Sequence, residues 1–393
     1  MVGLIRTTSQ HHLYGTDLWR VPHNSHWPES GGGLASEFGV GDDGDLCIFR
    51  CGWMAATDVT NGVLGYQEAT VGEAFLKIGV GQLVKGSCPA CDSTDDYRFN
   101  SPYEFAQLPV WRLRQLETNS QNHITALSIE HEERLRTHGY KLQKDVAVHG
   151  NEVAVTTHLT NLGQDPFSTV WYSHSLFTCD GVAVGPGYQA DLDIQPQTGQ
   201  PLYDEPSTWS WSQPISNYGK VDATPFNNIH VDMTRAIDPG TRIKSEFRKD
   251  GQTKGRFQIE ACDTIVAASL DFPEKQMSMY AYNLYMERGT FSPIPQLLIN
   301  KLPPGDTVSW TMKIQIRDPA EAPDTSSGST TGDLSGWIAG PFSPRFSGPA
   351  TAGHRSSSST VVAVGVLLLS TCLFLLWKAE RRRRDRPTYE VIV

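Results

Sequence analysis

A histidine set among aromatic and small polar residues is the first chemistry the chain offers. His174 lies in Ser168-Thr169-Val170-Trp171-Tyr172-Ser173-His174-Ser175-Leu176-Phe177, where an imidazole that titrates near neutrality can take or give a proton. Trp209-Ser210-Trp211 offers ring faces for stacking, or for packing on neighbouring strands. Cys88-Pro-Ala-Cys91 is the one close pair with a recognised spacing among seven cysteines, the others being Cys47, Cys51, Cys179, Cys262 and Cys372. A single such pair, with neither a second pair nor a nearby histidine, does not complete a tetrahedral zinc site. It also lacks the strand-to-helix setting of a redox motif, which leaves a loop disulfide or free thiols. His11-His12 sits in a polar arm and reads as solvated. There is no Walker loop, no His-Glu-x-x-His and no G-x-S-x-G elbow, and the glycine runs lack the setting of a nucleotide fingerprint. No cofactor and no metal are expected.

The elements that must hold His174 are strands. Residues 152–160 mix β-branched and polar types as a half-buried strand does. Asn161-Leu162-Gly163-Gln164-Asp165-Pro166 supplies a turn, so the His174 run is the second arm of a hairpin. Similar runs at 45–50, 108–114, 123–131, 139–148, 256–261, 264–270, 278–285 and 307–316 are separated by Gly, Pro, Asn and Asp. No helical period is sustained, although 130–137 is ambiguous. The pattern predicts an all-β sandwich or barrel, without internal repeats.

The 393 residues carry a net charge of −10, which argues against nucleic acid as a partner. The residues after Trp377 hold six Lys/Arg and three Asp/Glu, so the rest stands at 27 against 40, or −13. Composition divides the chain into an N-terminal arm (1–29), a β domain (30–318), a Pro/Ser/Thr/Gly-rich stalk (319–359), an apolar run (360–377) and a basic tail (378–393). The arm shows no h-region, so no signal peptide is expected from it. The stalk cannot bury enough apolar surface to order itself. The apolar run is uncharged and of membrane-spanning length, and an arginine cluster follows it. This predicts a single-pass membrane protein with its β domain lumenal or extracellular and its C-terminus cytosolic. The tail Pro387-Thr388-Tyr389-Glu390-Val391-Ile392-Val393 offers a tyrosine sorting signal or an apolar terminus for a cytosolic adaptor. No Asn-x-Ser/Thr sequon occurs.

The hairpin resembles the aldose 1-epimerase (mutarotase) family, a galactose-mutarotase-like β-sandwich or supersandwich. There a strand like "v-x-y-x-v-x-N-x-g-x-x-P" leads into one bearing "N-H-x-Y-F". Thr160-Asn161 with Pro166 is similar to the first, and Ser173-His174-Ser175-Leu176-Phe177 to the second. Val221-Asp222-Ala223-Thr224-Pro225-Phe226-Asn227-Asn228 resembles the "G-T-P-F-D" loop but departs from it at Ala223 and Asn227. Tyr285-Met286-Glu287 falls where the family carries its "L-E-T-Q-x-x-P-D" base. Leu302-Pro303-Pro304-Gly305-Asp306 is similar to "L-x-P-G-E", and 307–314 to the closing strand. The upstream "N-R" and "H-G-G" elements correspond to Gly72 through Leu83, which contains no histidine. There Phe75-Leu76-Lys77-Ile78-Gly79-Val80-Gly81 resembles a run in divergent members.

The resemblance implies epimerisation at the anomeric carbon of an aldose. Glu287 would take the proton from the anomeric hydroxyl and His174 would protonate the ring oxygen, so that the hemiacetal opens and recloses. Lys77, Asn227, Asp222 and Trp211 would bind the carbohydrate. The missing upstream histidine favours instead a membrane-anchored lectin-like domain without turnover. A third implication is a cleft adapted to polysaccharide.

Overall fold

The computed structural model describes residues 33–39, 59–60, 62–88, 91, 97, 103–120, 124–177, 182–193, 212–223, 229–252 and 255–317, together with the two-residue strands Ile5–Arg6 and His11–His12. Among these the only helical turn is the 3-10 segment Ile215–Asn217, and everything else regular is β. The all-β expectation therefore holds. The ambiguous 130–137 stretch belongs mostly to the strand Ile124–Leu135.

Two sheets enclose the main core. The larger has ten strands, in the order Gly219–Ala223, Ile229–Met233, Gln189–Leu192, Gly255–Ala261, Thr264–Asp271, Thr307–Arg317, Glu152–Asn161, His138–His149, Ile124–Leu135 and Trp111–Thr118. Period-2 alternation decides which way each strand faces. In Glu152–Asn161, Val153, Val155 and Leu159 are buried in the core while the intervening residues are half-exposed. The second sheet runs Ser212–Gln213, Arg242–Gln252, Met277–Glu287, Thr290–Leu302, Phe167–Leu176 and Gly33–Phe38, with Val59–Thr60 also paired to Phe167–Leu176. Trp310 of the large sheet meets Trp171 and Phe38 of the other in edge-on contacts, with ring centroids 5.2 and 6.1 Å apart. Such aromatic pairs lock two sheets face to face.

A four-stranded sheet, Val63–Leu64, Ala74–Lys77, Gly81–Val84 and Phe105–Gln107, has a satellite core of Tyr66, Phe75, Leu83, Tyr97 and Tyr103. Cys88 and Cys91 form a disulfide, the first of the two outcomes that the spacing left open. No helix among the described residues is long and apolar enough to cross a membrane. Residues 45–50, the stalk, the 360–377 run and the basic tail lie outside the described residues.

Candidate functional site

Phe167–Leu176 is buried at every position, so both of its faces are covered. One face, with Trp171, belongs to the core between the sheets. The other carries Tyr172 and His174. Register extends that second face across the sheet. Tyr172 lies opposite Gln296, and Gln296 opposite Ala281. Tyr285 lies between Ser292 and Lys244, and Glu287 between Thr290 and Arg242. The face is therefore polar although it is buried: Glu287 is 3% exposed and His174 5%.

Glu287 accepts hydrogen bonds at Oε1 from Arg242 Nε at 3.0 Å and from the Tyr285 hydroxyl. Burial and the adjoining carboxylate raise the Tyr285 phenol above its ordinary value, so it remains a donor. The His174 ring meets the Tyr285 ring edge-on at 5.3 Å, and its Nδ1 lies 2.7 Å from Ser292 Oγ. Burial pushes the His174 imidazole down to about 3, helped by the Lys244 charge, and it is neutral near pH 7. Three further buried groups on this face, Asn283 Oδ1, Gln296 Oε1 and Thr290 Oγ1, have no hydrogen-bond partner. Buried polar atoms are nearly always satisfied, so these three leave hydrogen-bonding capacity unused along the face.

Prolines shape the strand next to His174. The Thr290–Leu302 ladder to Phe167–Leu176 runs as far as Tyr172 opposite Gln296, and pairing resumes only at Phe177 opposite Phe291. Phe291 N–H donates to the Phe177 carbonyl at 2.9 Å. Alternate residues point their amides the same way, but at 293 and 295 the residues are proline and have none. Pairing with Met277–Glu287 continues through both prolines. The sheet is thus loosened on one side only, beside Ser173, His174 and Ser175.

Of the other residues expected at a site, Lys77 and Asp222 stand on other sheets. Lys77 ends the first arm of a hairpin whose turn places Gly79 and Gly81 at φ +80° and +120°. Its ammonium donates to the Phe38 carbonyl and lies 5.3 Å from the Tyr97 ring centre. Asp222 is exposed on Gly219–Ala223, the edge strand of the large sheet, opposite His230. Asn227 and Trp211 fall outside the described residues, as does Trp209. Sequence reading singled out neither Arg242, Ser292, Asn283, Gln296 nor Thr290. Their signal is the i, i+2 spacing of Asn283, Tyr285 and Glu287 and of Thr290 and Ser292, which shows only once both segments are read as strands.

A second constellation stands on the large sheet. His158 Nδ1 is 2.7 Å from Ser309 Oγ, and its Nε2 is 2.9 Å from Asp145 Oδ2. The residue types are those of acyl-transfer catalysis, but here they form one rung of a cross-strand ladder with Thr156–Thr311 and Thr160–Thr307 at 2.9 and 2.7 Å. A cavity of about 170 Å³, lined by Gln107, Val110, Arg112, Glu130, Glu132 and Glu133, includes none of the residues of the His174 face.

No protein-family model and no curated protein match the chain. Among solved structures it is similar to a galactose mutarotase-like protein from Clostridium acetobutylicum, at 12% identity over 81% of this chain and 89% of that one, with a TM-score of 0.43. A galactose mutarotase-like protein from Lactobacillus casei is similar at 10% identity over 80% and 92% of the two chains, with a TM-score of 0.43. A putative aldose 1-epimerase from Escherichia coli is similar at 14% identity over 63% and 80%, with a TM-score of 0.34. The family named in these descriptions is the one the motifs resemble. At these identities and scores no residue role is taken from them.

Proposed function

We propose that the His174–Glu287 face is the sugar site of a divergent aldose 1-epimerase-like domain with the supersandwich architecture of that family. The carrying observation is a row of unsatisfied oxygens along the buried face that holds Glu287, from Thr290 Oγ1 opposite Glu287, past Asn283 Oδ1, to Gln296 Oε1 opposite Ala281. The two amide oxygens accept from sugar hydroxyls and the threonine hydroxyl donates or accepts. Glu287 is the base that removes the anomeric proton. Arg242 and Tyr285 hold its carboxylate in one orientation, so little reorganisation is left for the reacting state. His174 lies across Tyr285 as the partner for the ring oxygen.

The neutrality of His174 favours a second reading. An imidazole held near 3 is a hydrogen-bond donor or acceptor at pH 7 rather than a proton source. This supports a lectin-like domain that binds the sugar without turning it over. In both readings the 360–377 run anchors the domain to a membrane through the stalk. That rests on its lack of charge and the arginine cluster behind it.

The test is polarimetry on freshly dissolved α-glucose and α-galactose with the full-length chain in non-ionic detergent, beside Glu287→Gln. Acceleration that the variant lacks supports the epimerase. Saturable binding on a glycan array without acceleration supports the lectin. Absence of both overturns the sugar site.

A further inference from the structure

The large sheet ends in an edge that is complementary to itself. Trp111–Thr118 pairs with Ile124–Leu135 on one side and with no strand among the described residues on the other. Residues 112–118 are all exposed. They include Leu113 at 41% and Leu116 at 50%, and the segment leading into the strand adds Phe105 at 44%, Leu108 at 53% and Val110 at 47%. An apolar edge of this kind is a template for pairing with another chain.

The sequence of the strand, Trp-Arg-Leu-Arg-Gln-Leu-Glu-Thr, defines the partner. A bulge falls at Arg114, because Leu113 lies opposite Ile129 while Gln115 lies opposite Ser128. The bulge resets the alternation. Leu113 and Leu116 lie opposite Ile129 and Leu127, on the face that packs toward the core. Arg112 and Glu117 lie opposite Glu130 and Ala126, on the outer face. An antiparallel copy is related by a two-fold axis perpendicular to the sheet, which keeps each face on its own side. Centred between Arg114 and Gln115, that axis sets Arg112 against Glu117, Leu113 against Leu116 and Arg114 against Gln115, each pair occurring twice. In an unbulged strand residues 113 and 116 would fall on opposite faces and the match would fail.

We propose that this edge is a homodimer interface, in which a second copy adds its Trp111–Thr118 and the two large sheets become one. Opposite charges and apolar side chains directly across an antiparallel pair each stabilise it by ~0.2–1 kcal/mol. Eight paired residues make a ladder ~27 Å long. Phe105, Leu108 and Val110 widen the contact toward the roughly 800 Å² per subunit of a stable interface.

The test is a charge swap, read by sedimentation equilibrium of the full-length chain in non-ionic detergent across a wide dilution series. The wild type dimerises. Arg112→Glu and Glu117→Arg each set like charges opposite one another twice, and each weakens the dimer about tenfold. The double variant Arg112→Glu/Glu117→Arg restores the pairs and recovers the wild-type constant. A wild type that is monomeric throughout overturns the proposal. So does a dimer that both single variants leave unchanged, which would be held by some other segment, or a double variant no tighter than the singles.

Discussion

His174 and His230 stand on strand faces of the two sheets, both within hydrogen-bond distance of an oxygen, and their basicities move in opposite directions. His230 Nδ1 lies 2.9 Å from Asp191 Oδ1, and that carboxylate raises it despite partial burial. His174 has a hydroxyl partner and is enclosed, and burial lowers it. Around His230, as around the His158–Asp145–Ser309 rung, side chains satisfy one another across the strands. Around His174 the sheet leaves oxygens unsatisfied. Catalytic-looking residue types occur on both sheets. The His174 face carries three unsatisfied oxygens, Asn283 Oδ1, Gln296 Oε1 and Thr290 Oγ1, and under the proposed reading they mark a binding face rather than a polar ladder.

The sharpest break in the comparison comes from the carboxylates. Glu287→Gln lowers the anomerisation rate by the ~10²–10⁴-fold expected of one acid–base group, while Asp145→Asn leaves the polarimetric rate unchanged. An unchanged rate in the first, or a matching fall in the second, erases the distinction. Next is the cation beside Glu287. Arg242→Met leaves a buried carboxylate without its guanidinium and costs about 3 kcal/mol by urea unfolding, because breaking a buried pair strands its partner. A loss below ~1 kcal/mol would mean that Glu287 is solvated like a surface acid.

The histidines sharpen the contrast through pH. His174 is depressed in the fold, so between the ordinary histidine value of about 6.5 and about 3 the unfolded chain binds a proton that the native one does not. Stability from this group is full above that window and is lost as pH falls through it. His230 is raised, so its contribution is full below its unfolded value and is lost as pH rises through its folded one. Urea midpoints of His174→Gln accordingly fall less steeply with acidification than those of the parent. His230→Gln flattens the slope on the alkaline side of 6.5. The smallest effect is expected at the triad-like rung: Ser309→Ala removes one half-exposed hydrogen bond and costs roughly 0.5–1.5 kcal/mol, with no change in sugar binding on the array.

Legibility in the sequence followed chain chemistry. Strands that alternate or run β-branched, such as Glu152–Asn161, Thr264–Asp271 and Thr307–Arg317, were readable to within a residue or two. The expected 108–114 strand sits a few residues later, at Trp111–Thr118. Thr290–Leu302 was not readable, because Pro293 and Pro295 look like a loop. They are tolerated in the sheet interior because both lack their amide on the same side. Arg242–Gln252 was hidden for another reason: its charged residues look like a solvated surface. At the candidate site, His174 and Glu287 stand out through family-like motifs. Arg242 and the unsatisfied oxygens depend on register between distant segments, which no local pattern carries.

The large sheet also constrains when the protein can fold. Its two halves, 111–161 and 189–271, meet only through Thr307–Arg317, the last described strand in chain order, which pairs with Glu152–Asn161 on one side and Thr264–Asp271 on the other. At ~5–20 residues per second of synthesis, the nascent chain spends about 8–31 s with the Glu152–Asn161 edge unclosed, and about 2–9 s of that with both inner edges unclosed. Chaperone occupancy during that interval should end when this strand leaves the ribosome.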